Sequence, residues 1–241
     1  MPLSNTNIEY GDKAWNPIVG CGKSCSYCWA RKMNKRFKWI EDWNKPQFFE
    51  ERLEDPLKYK KPCRILTCFC GDMFSDNVPS IWTKQVLKII SMSQHTHILL
   101  TKFPQNLHKF NLNLSNIWIG MTIVNNFDWS RVPYLVTVEA GVRFVSLEPF
   151  IVEPPEYLNT YLDIINAFSN LDWIIIGAQT NPFKCVKVGS IFYVIKSAEL
   201  VKIPIFLKNN LKAVLNKEII RQYQQYPSTD RRNYDGIKLQ S

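Results

Sequence analysis

Histidine is scarce in this chain: only His95, His97 and His108 occur among 241 residues, so a histidine-built metal site is not expected. No apolar run approaches the roughly 20 residues that a bilayer-spanning helix needs. The N-terminus, Met1-Pro2-Leu3-Ser4-Asn5, lacks the basic-then-apolar layout of a signal peptide. The expected location is the cytoplasm, with no membrane partner. Linkers rich in Gly or Ser, solenoid repeats and low-complexity blocks are also missing. So are a phosphate-cradling glycine loop and a Ser-His-Asp arrangement. A single domain over residues 1–241 is the economical expectation, with residues 223–241 a polar, loosely held tail.

Hydrophobic residues make up 46% and charged residues 21%, the balance of an ordinary globular chain. Seven cysteines, an odd number in a chain of this length, do not suit a disulfide-stapled secreted domain. Reduced thiols serving a metal fit better. The net charge of +9 suits a polyanionic partner, nucleic acid first. It suits equally a lysine-rich solvated surface.

Short apolar runs occupy residues 64–70, 97–102, 117–123, 143–147, 173–176 and 203–208. Their Ile, Val, Leu and aromatic content predicts strands buried on both faces. Amphipathic stretches at 80–94, 157–169 and 189–200 predict helices; in the first, Ile81, Val86, Ile89 and Ile90 recur at helical spacing. This alternation predicts an α/β fold of parallel βα units, either a barrel or an open doubly wound sheet. In both, functional groups gather at the carboxyl ends of the strands.

The informative segment is Trp15-Asn16-Pro17-Ile18-Val19-Gly20-Cys21-Gly22-Lys23-Ser24-Cys25-Ser26-Tyr27-Cys28-Trp29-Ala30-Arg31. Cys21, Cys25 and Cys28 form CxxxCxxC on a loop after a short strand-like run and just ahead of a helical stretch. Thiolates are soft ligands that suit Fe–S clusters or zinc. Structural zinc takes four protein ligands, commonly as two separated pairs, and electron-transfer clusters generally take four cysteines. Three close cysteines suggest instead a cluster with one iron open to a small molecule. A closed zinc site remains the alternative, with Cys63, Cys68 or Cys70 as fourth ligand.

An aromatic before the last cysteine, here Tyr27, completes the CxxxCxΦC signature of radical S-adenosylmethionine (SAM) enzymes, which this segment resembles. The blocks WNPIVGC, CSYCWAR, ILLTKFPQNL, WIGMTIVN, RFVSLEPF, LDWIIIGAQT and PIFLKNN resemble a phage-associated radical-SAM-like family of unassigned function, over most of residues 15–210. The resemblance implies a partial (β/α) barrel of about six or seven parallel strands, with the cluster loop after the first. It implies a 4Fe–4S cluster on Cys21, Cys25 and Cys28, with SAM chelating the open iron. An electron from an external donor would cleave SAM to methionine and a 5′-deoxyadenosyl radical, which would remove a substrate hydrogen atom. It also implies that the segment after the second strand holds the methionine end of SAM. Gly71 and Asp72 stand there, a departure from the usual Gly-Gly-Glu-like motif, and a tight turn with Asp72 or Asp76 as a cap fits the same residues.

Lys102, Thr122, Asn125, Glu148, Gln179 and Lys208 each close an apolar run, where ligand contacts are expected. Thr122, Asn125, Glu148 and Gln179 are candidates for the cofactor. Lys102 and Lys208 are candidates for substrate or for an ion pair with Glu148. Gln179 stands where related sequences often carry an acid. Cys68 and Cys70, two apart, are expected to share one strand face. Arg31, Lys35 and Arg36 lie on a basic stretch interleaved with Trp29, Phe37, Trp39 and Trp43. Such a stretch can grip phosphates and stack bases, or be a solvated helix with its aromatics in the core. Three functions follow: radical SAM chemistry on a nucleobase, the same chemistry on a peptide or small metabolite, or a non-enzymatic zinc or Fe–S module in a nucleic-acid complex. The roles of Cys63 and Cys185 stay open.

Overall fold

The computed structural model describes residues 3–153 and 168–228. Its centre is one sheet of eight strands: β1 (Ser4–Asn5), β2 (Lys13–Trp15), β3 (Arg64–Thr67), β4 (Thr96–Thr101), β5 (Ile117–Thr122), β6 (Val142–Leu147), β7 (Trp173–Ile176) and β8 (Ile205–Leu207). The spatial order is the chain order. β2 through β8 pair in parallel throughout, and only β1 is antiparallel. The order never doubles back, so the sheet lacks the switch point of a doubly wound fold. The chain is α/β, with a mostly parallel central sheet.

Alternation within the strands feeds two separate cores. Leu66, Ile98, Trp118, Phe144, Trp173, Ile175 and Phe206 face one way and form a compact cluster with Tyr10. Their neighbours, such as Ile65, Leu99, Ile119, Val145, Ile174 and Leu207, face the other way into a larger cluster with the helices. That both faces are apolar explains why the runs read as continuous rather than alternating. The sheet curls enough for Tyr10, ahead of β2, to meet Phe206 of β8 edge-on at 5.7 Å. Asn209 N–H donates to Glu9 Oε1 at 2.9 Å across the same gap.

The helices are α1 (Trp29–Phe37), α2 (Asp55–Lys58), α3 (Ser80–Met92), α4 (Asn126–Trp129), α5 (Val132–Val136), α6 (Val188–Leu200) and α7 (Lys217–Gln222). α6 buries Ile191, Val194, Ile195 and Ala198, one stripe at helical spacing. α3 buries Val86, Leu87, Ile89 and Ile90, while Ile81 is 60% exposed, outside the stripe assigned to it from sequence. The predicted helix at 157–169 lies almost wholly outside the described residues. No helix among the described residues is long and apolar enough to cross a membrane.

The C-terminal segment differs from expectation in its described part. Tyr223 is buried, and Gln225 carbonyl accepts from Trp173 Nε1 at 2.9 Å. Tyr226 lies tilted against Trp173 at 5.7 Å and meets Phe206 edge-on at 5.3 Å, with the Arg64 guanidinium 3.9 Å from its ring. These groups belong to the amino ends of the strands, which they cover with aromatic surface. The polarity of residues 223–228 hid two anchoring tyrosines; the rest of the predicted tail lies outside the described residues.

Candidate functional site

β2 ends at Trp15, and the chain then builds a cradle for the cysteines. Asn16 Oδ1 accepts from Cys70 N–H at 2.8 Å, tying the segment after β2 to the segment after β3. Ile18–Val19 pairs with Gln47–Phe48, Gly20 bridges Gly71, and Cys21 N–H donates to Trp43 carbonyl at 3.0 Å. Gly71 sits where a Cβ would lie 2.5 Å from Gly20 carbonyl oxygen, which explains a glycine there without any ligand. Cys28 caps α1, its Sγ accepting from Arg31 N–H at 3.4 Å, and Cys21 Sγ accepts from Lys23 N–H at 3.3 Å. The Arg31 guanidinium donates to Lys23 carbonyl at 2.7 Å and to Asn44 Oδ1 at 3.1 Å, so it straps the loop.

All three thiols are half-buried. Burial first, then the charge of Asp72, pushes the Cys21 thiol up to about 12. Tyr27 is raised by burial and then by the neighbouring Cys25. A thiol held neutral in this way needs a cation to become a ligand. The donor set fits a soft metal centre: three accessible sulfurs on one short loop, two of them facing backbone N–H groups, and no carboxylate in the loop. The sulfurs are not drawn together, and among the described residues no three His, Cys, Asp or Glu side chains form a group able to hold a metal ion.

Beside this loop, polar groups at the carboxyl ends of the strands converge. Lys102 Nζ donates to Thr122 Oγ1 at 3.2 Å and lies 5.9 Å from the Tyr27 ring. Lys208 Nζ pairs with Glu148, lies 3.8 Å from Glu9 Oε2, and sits 5.7 Å from the Tyr10 ring of the inner cluster. A Cβ on Gly177 would touch Lys208, Asn210 and Glu148 together, so these three side chains share one small space.

Other sequence candidates have local employment. Asp72, 5% exposed, accepts from Thr101 Oγ1, Lys102 N–H and Phe74 N–H, joining the turn after β3 to the end of β4. Burial nonetheless pushes its carboxyl up from the usual range. Asn125 caps α4 in a reciprocal box with Asp128. Gln179 Nε2 donates to Pro182 carbonyl at 2.8 Å, closing the hairpin of Gln179–Thr180 with Phe183–Lys184. β3 ends at Thr67 because Cys68 turns the chain with φ 58°, so Cys68 and Cys70 do not share a strand face. Cys68 enters the helix-side core, whereas Cys70 joins Val19, Ala30, Ile40 and Trp43, with Cys21 and Cys28 against them. Cys63 Sγ meets His95 Nδ1 at 3.6 Å, and Cys185 is half-buried.

On α1 the aromatics are not in the core: Trp29 is 50% and Phe37 55% exposed. Phe37 stacks on Trp39, with Arg36 5.0 Å above it, and Lys35 is exposed. Two groups escaped the sequence reading. Asn210 exchanges hydrogen bonds with the Ala178 backbone. Arg131 pairs with Asp128 at 3.1 Å and donates to Gln105 Oε1 at 3.0 Å. The spacing of Asn125, Asp128 and Arg131 was a readable signal, an N-cap box with an ion pair one turn on.

No curated protein and no solved structure matches the chain. Residues 5–209, which hold the cysteine loop and the parallel strands β2 to β8, match the family described as protein of unknown function (DUF5131), and the chain belongs to that family.

Proposed function

We propose that this protein is a radical SAM enzyme, built on a partial (β/α) barrel, with Cys21, Cys25 and Cys28 holding a 4Fe–4S cluster. The observation that carries the reading is the three-thiol loop beside a polar floor at the carboxyl end of seven sequentially ordered parallel strands. When bound, cluster and SAM supply one-electron cleavage of a sulfonium and removal of a substrate hydrogen atom. The chain's own residues bind and orient. Arg31 and the Gly20–Gly71 contact fix the loop. Lys102, Thr122, Glu148 and Lys208 provide fixed charges and hydrogen-bonding groups on the floor. The apolar cluster beneath them keeps water out from below.

Anaerobic reconstitution tests this. The expected product is brown, holds about four irons per chain and releases 5′-deoxyadenosine when reduced with SAM. Replacing all three cysteines with Ala should abolish both properties. One observation favours a second reading, a closed zinc or Fe–S module: Cys70 lies in the apolar cluster against which Cys21 and Cys28 pack. Cys70→Ser separates the two. Iron content and 5′-deoxyadenosine release should persist under the first reading, while metal should be lost under the second. Colourless protein with one tightly held zinc would refute the first.

A further inference from the structure

Three large aromatics are exposed on segments that leave the carboxyl ends of three different strands. Trp29 opens α1 after the cysteine loop, Phe127 lies in α4 after β5, and Phe183 lies in the hairpin after β7; they are 50%, 70% and 44% exposed. Trp29, Lys32 and Arg36 share one helix face by spacing. Lys32 Nζ donates to Asn181 carbonyl at 3.4 Å, so that face of α1 looks across to the hairpin of Phe183. On the other flank, Arg131 holds α4 to Lys102 carbonyl and Gln105 in the segment after β4, and Lys102 Nζ lies 5.9 Å from the Tyr27 ring of the cysteine loop. The three aromatics therefore stand around one opening.

Among the described residues the exposed charge there is mostly positive. No Asp or Glu occurs between Lys13 and Ile40, nor between Trp173 and Ala198, whereas Lys32, Lys35, Arg36, Lys184 and Lys187 are exposed there. Among the described residues, the carboxylates that reach this end have partners within the chain. Asp72 binds Thr101 and Lys102, Asp128 binds Arg131, Glu148 binds Lys208, Asp76 accepts from Asn106, and exposed Glu153 accepts from Ser190. Exposed flat rings among exposed cations are what an unpaired nucleotide strand needs: cations for its phosphates and faces for its bases. A duplex would use the cations alone, because its bases already stack on one another. An acidic peptide would likewise gain little from the rings.

We infer that this rim binds single-stranded nucleic acid and presents an unstacked base to the floor formed by Lys102, Thr122, Glu148 and Lys208. This rests on the reading above and gives that chemistry its substrate class. The test is fluorescence anisotropy with a labelled 12-nucleotide oligothymidylate, on protein free of iron and SAM. A negative result then removes the substrate class and leaves the cluster reading to its own assay. The association constant should fall with salt, with a log–log slope of about −2 to −3 for three or four phosphate contacts. Phe127→Ala and Phe183→Ala should each weaken binding about tenfold. Leu200→Ala, at an exposed position at the end of α6, should leave it unchanged. The double change Lys32→Glu, Lys35→Glu should flatten the salt slope by about one or more. Equal affinity for a duplex of the same length would overturn the inference, as would displacement by oligoglutamate at matched charge or wild-type binding by both Phe variants.

Discussion

Gly71→Ala puts the cradle to a quantitative test. The added Cβ would lie 2.5 Å from Gly20 carbonyl oxygen, about 0.9 Å short of the 3.4 Å at which ordinary contact begins. The opposing atom is backbone and cannot rotate away. Gly20 is confined in turn, because the space beside its Cα is filled by the Pro46 and Trp43 backbone. Its φ of 105° is one that side-chain-bearing residues rarely adopt. Relief requires the two segments to part, lengthening the 3.0 Å bond from Gly20 N–H to Cys70 carbonyl. Overpacking of this kind costs about 1–3 kcal/mol and the lost bond about 1 kcal/mol. Lower entropy of the unfolded chain returns about 0.4–1 kcal/mol. A net loss of about 2–3 kcal/mol corresponds to a Tm lowered by about 5–10 °C in a chain of this size. Circular-dichroism melts read the loss, and iron uptake reads its effect on the cysteine loop. Two controls rank the cause. At Gly22 a Cβ meets only the Asn77 side-chain amide, at 3.1 Å, so Gly22→Ala should cost under about 1 kcal/mol. At Gly189, in α6, nothing lies within 4 Å, and Gly189→Ala should stabilise by up to about 1 kcal/mol. A Gly71→Ala protein melting within about 2 °C of wild type would refute the reasoning, as would a larger loss from Gly22→Ala.

Lys208→Met should cost about 2–4 kcal/mol in urea unfolding, because it leaves Glu148 and Glu9 facing each other without their shared cation. Adding Glu148→Gln should recover part of that loss; a double variant no more stable than the single would disprove the pairing. His95 is fully buried between the Pro56 and Tyr59 carbonyls, 3.0 Å from each, and burial lowers its pKa from the usual imidazole value of about 6.5. The unfolded chain therefore takes up that proton first, so stability present above about pH 6.5 declines as pH falls below it. Urea midpoints between about pH 7.5 and 5.5 should show the decline, and His95→Gln should flatten it. Parallel profiles for the two proteins would locate the titration elsewhere.

The strands were legible because burial on both faces leaves an unbroken apolar run, and the runs at 117–123, 143–147 and 173–176 coincide with β5, β6 and β7 to within a residue. Lys13–Trp15 was legible only as a short strand-like run without bounds, because three residues carry too little pattern, although β2 is the strand that launches the cysteine loop. The polar candidates were harder to read. A carboxylate beside a strand end looks the same whether it awaits a ligand or serves a distant backbone. Asp72 serves Thr101 and Lys102, about thirty positions along the chain, and no local window contains that pairing. Glu148 was placed by sequence at a strand end with two lysines as possible partners; each follows a strand two places from β6, and it is the side-chain-free space over Gly177 that brings Lys208 to Glu148 while Lys102 turns to Thr122. Trp29 and Phe37 carry the opposite lesson. Hydrophobicity alone assigns them to a core, and the shortness of α1 together with its position at the rim leaves them in water.

Tyr226 against Trp173 and Phe206, with Tyr10 alongside, packs aromatic rings behind the sheet's inner cluster among the described residues. Under the proposed reading, a guest admitted at the opposite, loop-bearing side would have to depart by the way it came. A large occupant seated there would then impose a sequence on departures, with the upper guest leaving before the lower one.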